Sequence, residues 1–78
     1  MVYYVVETQT NEDGTGTMLP AIIKTDLNEA EAEWHRILQY AAVSSVYKHG
    51  AVIITEDDIT IKKESYKHVI STDQEANG

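Results

Sequence analysis

Hydrophobic and polar positions alternate along the first part of the chain. In residues 2–10 the alternating positions are mostly β-branched or aromatic, which predicts a β-strand. Residues 11–16 are rich in types that tolerate left-handed backbone, and residues 17–25 resume a strand-like pattern, so a hairpin is predicted. Pro20 lies inside the second strand and has no amide donor, which places that strand at a sheet edge.

A three- and four-residue period then predicts one amphipathic helix. Asp26, with Glu29 three residues later, provides a start resembling a capping box. The apolar stripe consists of Leu27, Ala30, Trp34, Ile37, Leu38 and Ala41. Because Lys48, His49 and Gly50 follow, the helix is expected to end between residues 43 and 46.

Two further strands are predicted after the helix. Residues 51–55 are apolar on both faces, residues 56–58 form an acidic turn, and residues 59–68 alternate again. The order ββαββ predicts an α+β fold with a four-stranded antiparallel sheet, in the order 2-1-3-4, and one helix on one face. Pro20 then lies at one edge, and three lysines protect the other: Lys62, Lys63 and Lys67.

The predicted sheet has one face without a cover. Its central strands are apolar on both faces, and an exposed apolar patch usually marks an interface. We therefore expect a homodimer that packs sheet against sheet through Tyr3, Val5 and Ile53. The alternative is that the residues after Val69, or the long hairpin, fold over this face.

The predicted topology also gathers acidic residues at one end of the molecule. This acidic end consists of Asp26, Glu29, Glu31, Glu33, Glu56, Asp57 and Asp58. Lys24 is the only cation expected nearby, so the end should attract basic partners. The alternative is a solvated helix start and turn, since helix first turns favour acids.

Composition limits the classes of function. The chain has 78 residues, of which 42% are hydrophobic and 24% charged, and this predicts a single globular domain over residues 1–70 with a disordered tail at 71–78. The absence of cysteine excludes disulfides and thiolate chemistry, and with no signal peptide or membrane-length apolar run a cytoplasmic location is expected. A net charge of -7 disfavours direct nucleic-acid binding.

Candidate chemical motifs are incomplete. Glu31 and His35 are one helical turn apart but have no third metal ligand at matching spacing. Ser44, Ser45 and His49 have neither an orienting acid nor an oxyanion hole in the sequence pattern. We therefore expect no catalytic residue, no metal and no cofactor, and the protein is predicted not to be an enzyme.

Four segments carry a resemblance to other proteins: YYVVETQT (3–10), DGT (13–15), EAEAEWHRIL (29–38) and AAVS (41–44). Over residues 2–60 the chain resembles short uncharacterised proteins of anaerobic gut bacteria and their mobile elements. That group has no assigned activity, so the resemblance assigns no residue a role. It implies a context in which small acidic proteins inhibit host defence or regulate nucleic-acid enzymes.

The sequence thus favours a non-catalytic acidic protein-interaction module. The expected partner is a basic nucleic-acid-handling protein, which the module would inhibit or regulate. One alternative is a dimer that binds or sequesters a nucleotide-like anion, with a pocket at the dimer interface lined by Tyr3, Tyr66 and either Arg36 or the lysines of the last strand. Another is a structural domain of unknown role.

Overall fold

A computed structural model describes residues 1–68 of the chain. These residues form β1 (Tyr3–Thr10), β2 (Gly16–Met18), β3 (Ile22–Lys24), α1 (Leu27–Ala42), β4 (Lys48–Thr55) and β5 (Thr60–Lys67). The predicted α+β class, with one helix and an antiparallel sheet, is confirmed over this range. The predicted tail, residues 71–78, lies outside the described residues.

The sheet differs from the prediction at its first edge. The predicted second strand is two short strands, β2 and β3, which both pair with β1, so the sheet has five strands in the order β2-β1-β4-β5 with β3 also beside β1. The break falls at residues 19–21, which contain Pro20. Proline cannot donate to the ladder, and the four-strand order was wrong in this detail.

The helix begins where the sequence predicts. Asp26 is the N-cap, and its carboxylate accepts a hydrogen bond from the Glu29 amide at 3.1 Å. Val43 caps the other end. The buried face consists of Ala30, Trp34, Ile37, Leu38 and Ala41.

The hydrophobic core lies between this helix and the two central strands, β1 and β4. Val5 and Ile53 are opposite each other in the sheet and are fully buried under the helix. The Trp34 indole donates a hydrogen bond to the Ala51 carbonyl at 3.0 Å, which ties the helix to β4.

The other side of the sheet is called here the open face, because none of the elements described packs across it. Strand alternation and register show that one end of this face is apolar and that the other end is polar. The apolar half contains Tyr4, Val6, Ile23, Val52, Ile54 and Ile61. The polar half contains Thr8, Thr10, Lys48, Gly50, Ser65 and Lys67, together with the exposed Met18 beside Thr8, and Lys63 borders it beside Val52.

Candidate functional site

The two acidic segments lie at the same end of the sheet. Tyr3, at the start of β1, is the register partner of Lys24 on one side and of Thr55 on the other. The helix cap Asp26 follows Lys24 by two residues, and the acidic turn follows Thr55 directly. Because strands are spaced by about 4.8 Å, the backbones of Lys24 and Thr55 are roughly 10 Å apart.

The acidic turn is held in one conformation by Thr55. The Asp58 amide donates to the Thr55 carbonyl at 2.9 Å, and the amides of Asp57 and Ile59 donate to the Thr55 hydroxyl at 3.3 Å. Asp58 has a left-handed φ of 65°, which aspartate tolerates better than most residues. The exposed side chains of Asp57 and Asp58 are therefore presented on a defined turn.

Glu56 joins this turn to the start of β1. Its amide donates to the Val2 carbonyl at 3.0 Å, and its carboxylate accepts from the Val2 amide at 2.6 Å. Glu56 therefore has a structural role at the acidic end as well as a charge.

Three acids of the acidic end have cationic partners. Glu29 lies 3.8 Å from Lys24, Glu31 lies 4.0 Å from Lys62, and Glu33 lies 2.8 Å from Arg36. The expectation that Lys24 is the only nearby cation was therefore wrong, since Lys62 on β5 and Arg36 on the helix also contribute. The other four members of the acidic end have no cation within 4.0 Å among residues 1–68: Asp26, Glu56, Asp57 and Asp58.

The residues expected at a dimer interface lie on the other side of the sheet. Val5 and Ile53 are 0% exposed, and Tyr3 packs against the same core. The assignment of these three residues to an uncovered face was wrong, because the helix covers them. Alternation separates two apolar faces but does not say which one the helix occupies.

The open face contains a depression that sequence reasoning missed. It has a volume of about 550 Å³ and is lined by Thr8, Thr10, Lys48, Ala51, Val52, Thr60, Lys63, Glu64 and Ser65. We call five of these residues, Thr8, Thr10, Lys48, Lys63 and Ser65, the lysine cradle. They come from β1, β4 and β5, so only the strand register brings them together.

Beside the cradle, β4 and β5 approach each other closely at Gly50. A Cβ atom at this position would lie 2.4 Å from the Glu64 backbone oxygen and 2.5 Å from the Ser65 Cβ. Since real Cβ atoms do not approach neighbours so closely, β4 and β5 need glycine here.

Within one chain, the two tyrosines expected to line a small-ligand pocket at the dimer interface lie far apart. Tyr3 is paired with Thr55 and Tyr66 with His49, so the two tyrosines lie near opposite ends of β4, roughly 20 Å apart along the strand. Tyr66 instead lines a groove of about 600 Å³ between the helix and β5, together with Trp34 and Leu38.

A buried histidine, His49, contacts the carboxylate of Glu7 on the helix side of the sheet. Glu7 Oε2 is 2.5 Å from His49 Nε2, and the His49 side chain is 7% exposed. A carboxylate only accepts, so Nε2 carries the proton. The His49 Nδ1 atom has no hydrogen-bond partner.

The predicted serine and histidine set makes no catalytic arrangement in the described residues. The Ser44 hydroxyl accepts a hydrogen bond from the Val46 amide at 3.0 Å, whereas His49 is bonded to Glu7. No group of three or more histidine, aspartate or glutamate side chains within residues 1–68 is arranged to hold a metal ion.

Comparisons with known proteins give no relative: no family model, curated protein or solved structure matches the chain. None of the helical segments in the described range is long and apolar enough to cross a membrane. The acidic end and the open face are therefore the two candidate functional surfaces.

Proposed function

We propose that this protein is a non-catalytic interaction module whose acidic end binds a basic surface of a partner protein. Carboxylates have the sign of phosphate groups and accept the same hydrogen bonds from lysine and arginine. The nucleic-acid-handling surface of the partner is the natural target, and occupying it would inhibit or regulate that partner.

The observation that carries this proposal is the fixed turn after β4. Asp57 and Asp58 are exposed, have no cation within 4.0 Å in the part of the chain described, and sit on a turn held by Thr55. A charged group that is already ordered loses less conformational entropy on binding than a flexible one. Unpaired charge of one sign also accelerates association with an oppositely charged surface.

The first prediction compares two variants with equal charge. Asp57→Asn/Asp58→Asn removes two unpaired charges, whereas Glu31→Gln/Glu33→Gln removes two charges that are paired with Lys62 and Arg36. Wild type and both variants are immobilised, and host-cell proteins retained by each are identified. We expect basic nucleic-acid-binding proteins to be lost with the first variant and retained with the second.

The affinity of a purified partner is then measured at several salt concentrations. The asparagine variant should bind at least about tenfold more weakly, with a smaller dependence on salt, because each lost charge-assisted contact contributes roughly 1.5–3 kcal/mol. Equal retention by both variants, or a captured set without basic proteins, would contradict the proposal.

A second copy of the chain is proposed as a further partner, and its contact is the part of the apolar half that lies farther from the cradle: Tyr4, Ile23, Ile54 and Ile61. Ile23 and Ile61 are 62% and 40% exposed there, next to the partly buried Tyr4 and Ile54. Domains of this size bury little apolar surface, and a symmetric pairing of these patches would add to it.

A further inference from the structure

The lysines and acids of the strands are divided between the two sides of the sheet. Lys48, Lys63 and Lys67 lie on the open face, whereas Glu7 and Glu64 lie on the helix side. Half of the six cations of the chain are therefore on the open face, and Glu64 is the one acid among the residues that line its depression. The open face is locally positive although the chain carries a net charge of -7.

Two of these lysines are held close together by the sheet. Lys48 and Lys67 are direct register partners on adjacent strands, an arrangement in which like charges destabilise the pair. The Lys67 ammonium lies 5.3 Å from the centre of the Tyr47 ring. A hydrogen bond to the Tyr47 side chain, together with Coulombic attraction to it, raises the pKa of Lys67.

Lys48 and Lys63 have no such partner in residues 1–68, where no carboxylate lies within 4.0 Å of either. Both lysines line the depression on the open face, together with the hydroxyl side chains of Thr8, Thr10 and Ser65. Hydroxyl donors and two ammonium groups together form a site suited to a phosphate group.

The surroundings favour a small anion over a long one. Gly50 is five residues from the end of β4, so the acidic turn begins roughly 17 Å away, and the hairpin acids lie beyond the other end of the sheet. A nucleic-acid strand that crossed the cradle would meet these acids and be repelled. The volume of about 550 Å³ is within the range of small-molecule sites.

An apolar contact adjoins the cradle. Val52 is half-buried, lines the same depression and lies about 7 Å along β4 from Gly50. This spacing places an apolar surface beside the phosphate position, as a nucleoside phosphate requires.

We propose that the lysine cradle binds a phosphorylated small molecule of nucleotide size. The phosphates lie between Lys48 and Lys63, beside the Thr8 and Ser65 hydroxyls, and the uncharged part lies against Val52. This site is on a different surface from the acidic end, and it does not depend on the interaction with a protein partner.

The second prediction uses neighbouring lysines with opposite orientations. Binding of ADP and of inorganic pyrophosphate is measured by titration calorimetry with wild type, Lys48→Gln, Lys63→Gln and Lys62→Gln. Lys62 is adjacent to Lys63 but lies on the helix side beside Glu31, so the control removes the same charge from the other face. We expect about tenfold weaker binding for Lys48→Gln and Lys63→Gln. The affinity of Lys62→Gln for both probes should stay within twofold of wild type, because this substitution removes no contact to the proposed ligand.

Several results would overturn the proposal. These are the absence of binding to both probes at millimolar concentration, an equal loss with Lys62→Gln, or tighter binding of an oligothymidylate than of ADP. The Asp57→Asn/Asp58→Asn variant should retain ADP binding, and this result separates a failure of the cradle from a failure of the acidic end. Circular dichroism of each variant confirms that the fold is unchanged.

Discussion

Among the polar residues, His49 is the one whose removal should affect the stability of the fold most directly. Its imidazole is buried beside the carboxylate of Glu7, which is 23% exposed, and Gln9 contributes only a long contact of 3.5 Å. Without the imidazole the Glu7 carboxylate would remain partly buried and lose its close partner, and such losses carry a desolvation penalty.

The third prediction therefore concerns His49→Ala. We expect it to lower the free energy of unfolding by about 1–3 kcal/mol, measured by urea denaturation. The control is His35→Ala, at an exposed helix position, where a change within about 0.5 kcal/mol is expected. Equal effects of the two substitutions would show that the Glu7 pair does not stabilise the fold.

A sequence alone could not have identified this pair. Glu7 and His49 are 42 residues apart and come together only through the pairing of β1 with β4. Sequence reasoning grouped His49 with Ser44 and Ser45 near the helix end, because a sequence shows only which residues are close along the chain. Asp26 was predictable, since a helix cap depends on residues within one turn.

At the scale of elements, the close approach of β4 and β5 depends on Gly50. The fourth prediction is that Gly50→Ala will lower the free energy of unfolding by about 1–3 kcal/mol or more, because the added methyl group meets backbone atoms that cannot easily move. Chemical denaturation measures the loss.

The matched control is Gly16→Ala in the edge strand β2. There the nearest atom to an added Cβ is the Gln9 backbone oxygen at 3.3 Å, so a small adjustment is enough. We expect its free energy of unfolding to change by less than about 1 kcal/mol. If both alanine variants are equally stable, the spacing of β4 and β5 is more adaptable than the structure indicates.

The elements show which parts of the fold local patterns could predict. The helix and its buried stripe followed from periodicity, with the exception of Leu27, which is 36% exposed near the helix start. Pro20 correctly indicated an edge, but its effect was larger than predicted, since the strand is interrupted and forms β2 and β3.

The choice of sheet face was the part that periodicity could not decide. Val5 and Val6 are adjacent valines that point to opposite sides of the sheet, and no local feature of either residue determines which one the helix covers. That choice depends on the handedness of the crossover and on packing against Trp34, which are properties of the whole fold. The lysine cradle was missed for the same reason, because its residues come from three strands.

At the scale of the whole molecule, the exposed apolar half of the open face should control self-association. The fifth prediction is that Ile23→Glu will shift the protein toward a monomer in sedimentation equilibrium at high micromolar concentration. Stability of the single chain should change little, because Ile23 is 62% exposed there.

The control for this experiment is Val43→Glu at the helix C-cap. Val43 is 82% exposed but lies outside the open face, so it adds the same charge without touching the proposed contact. A wild-type protein that is strictly monomeric at this concentration, or an equal response to both substitutions, would remove the dimer.

Charge is distributed unevenly over the molecule as a whole. Acids gather at the start of the helix and in the turn after β4, whereas three lysines share one sheet face about half a strand length away. The two regions are separated by more than a Debye length at physiological ionic strength, about 8 Å, so each can act on its own ligand. The proposed protein partner and the proposed phosphorylated ligand therefore bind different surfaces of one small domain.

The hydrogen bond from the Trp34 indole to the Ala51 carbonyl also provides an optical reporter. Trp34 is the only tryptophan in the chain, so all indole emission comes from the contact between helix and sheet. Fluorescence will follow detachment of the helix from β4 directly, whereas circular dichroism follows loss of the helix itself. Coincident transitions in the two signals would show that docking and helix formation are a single cooperative event.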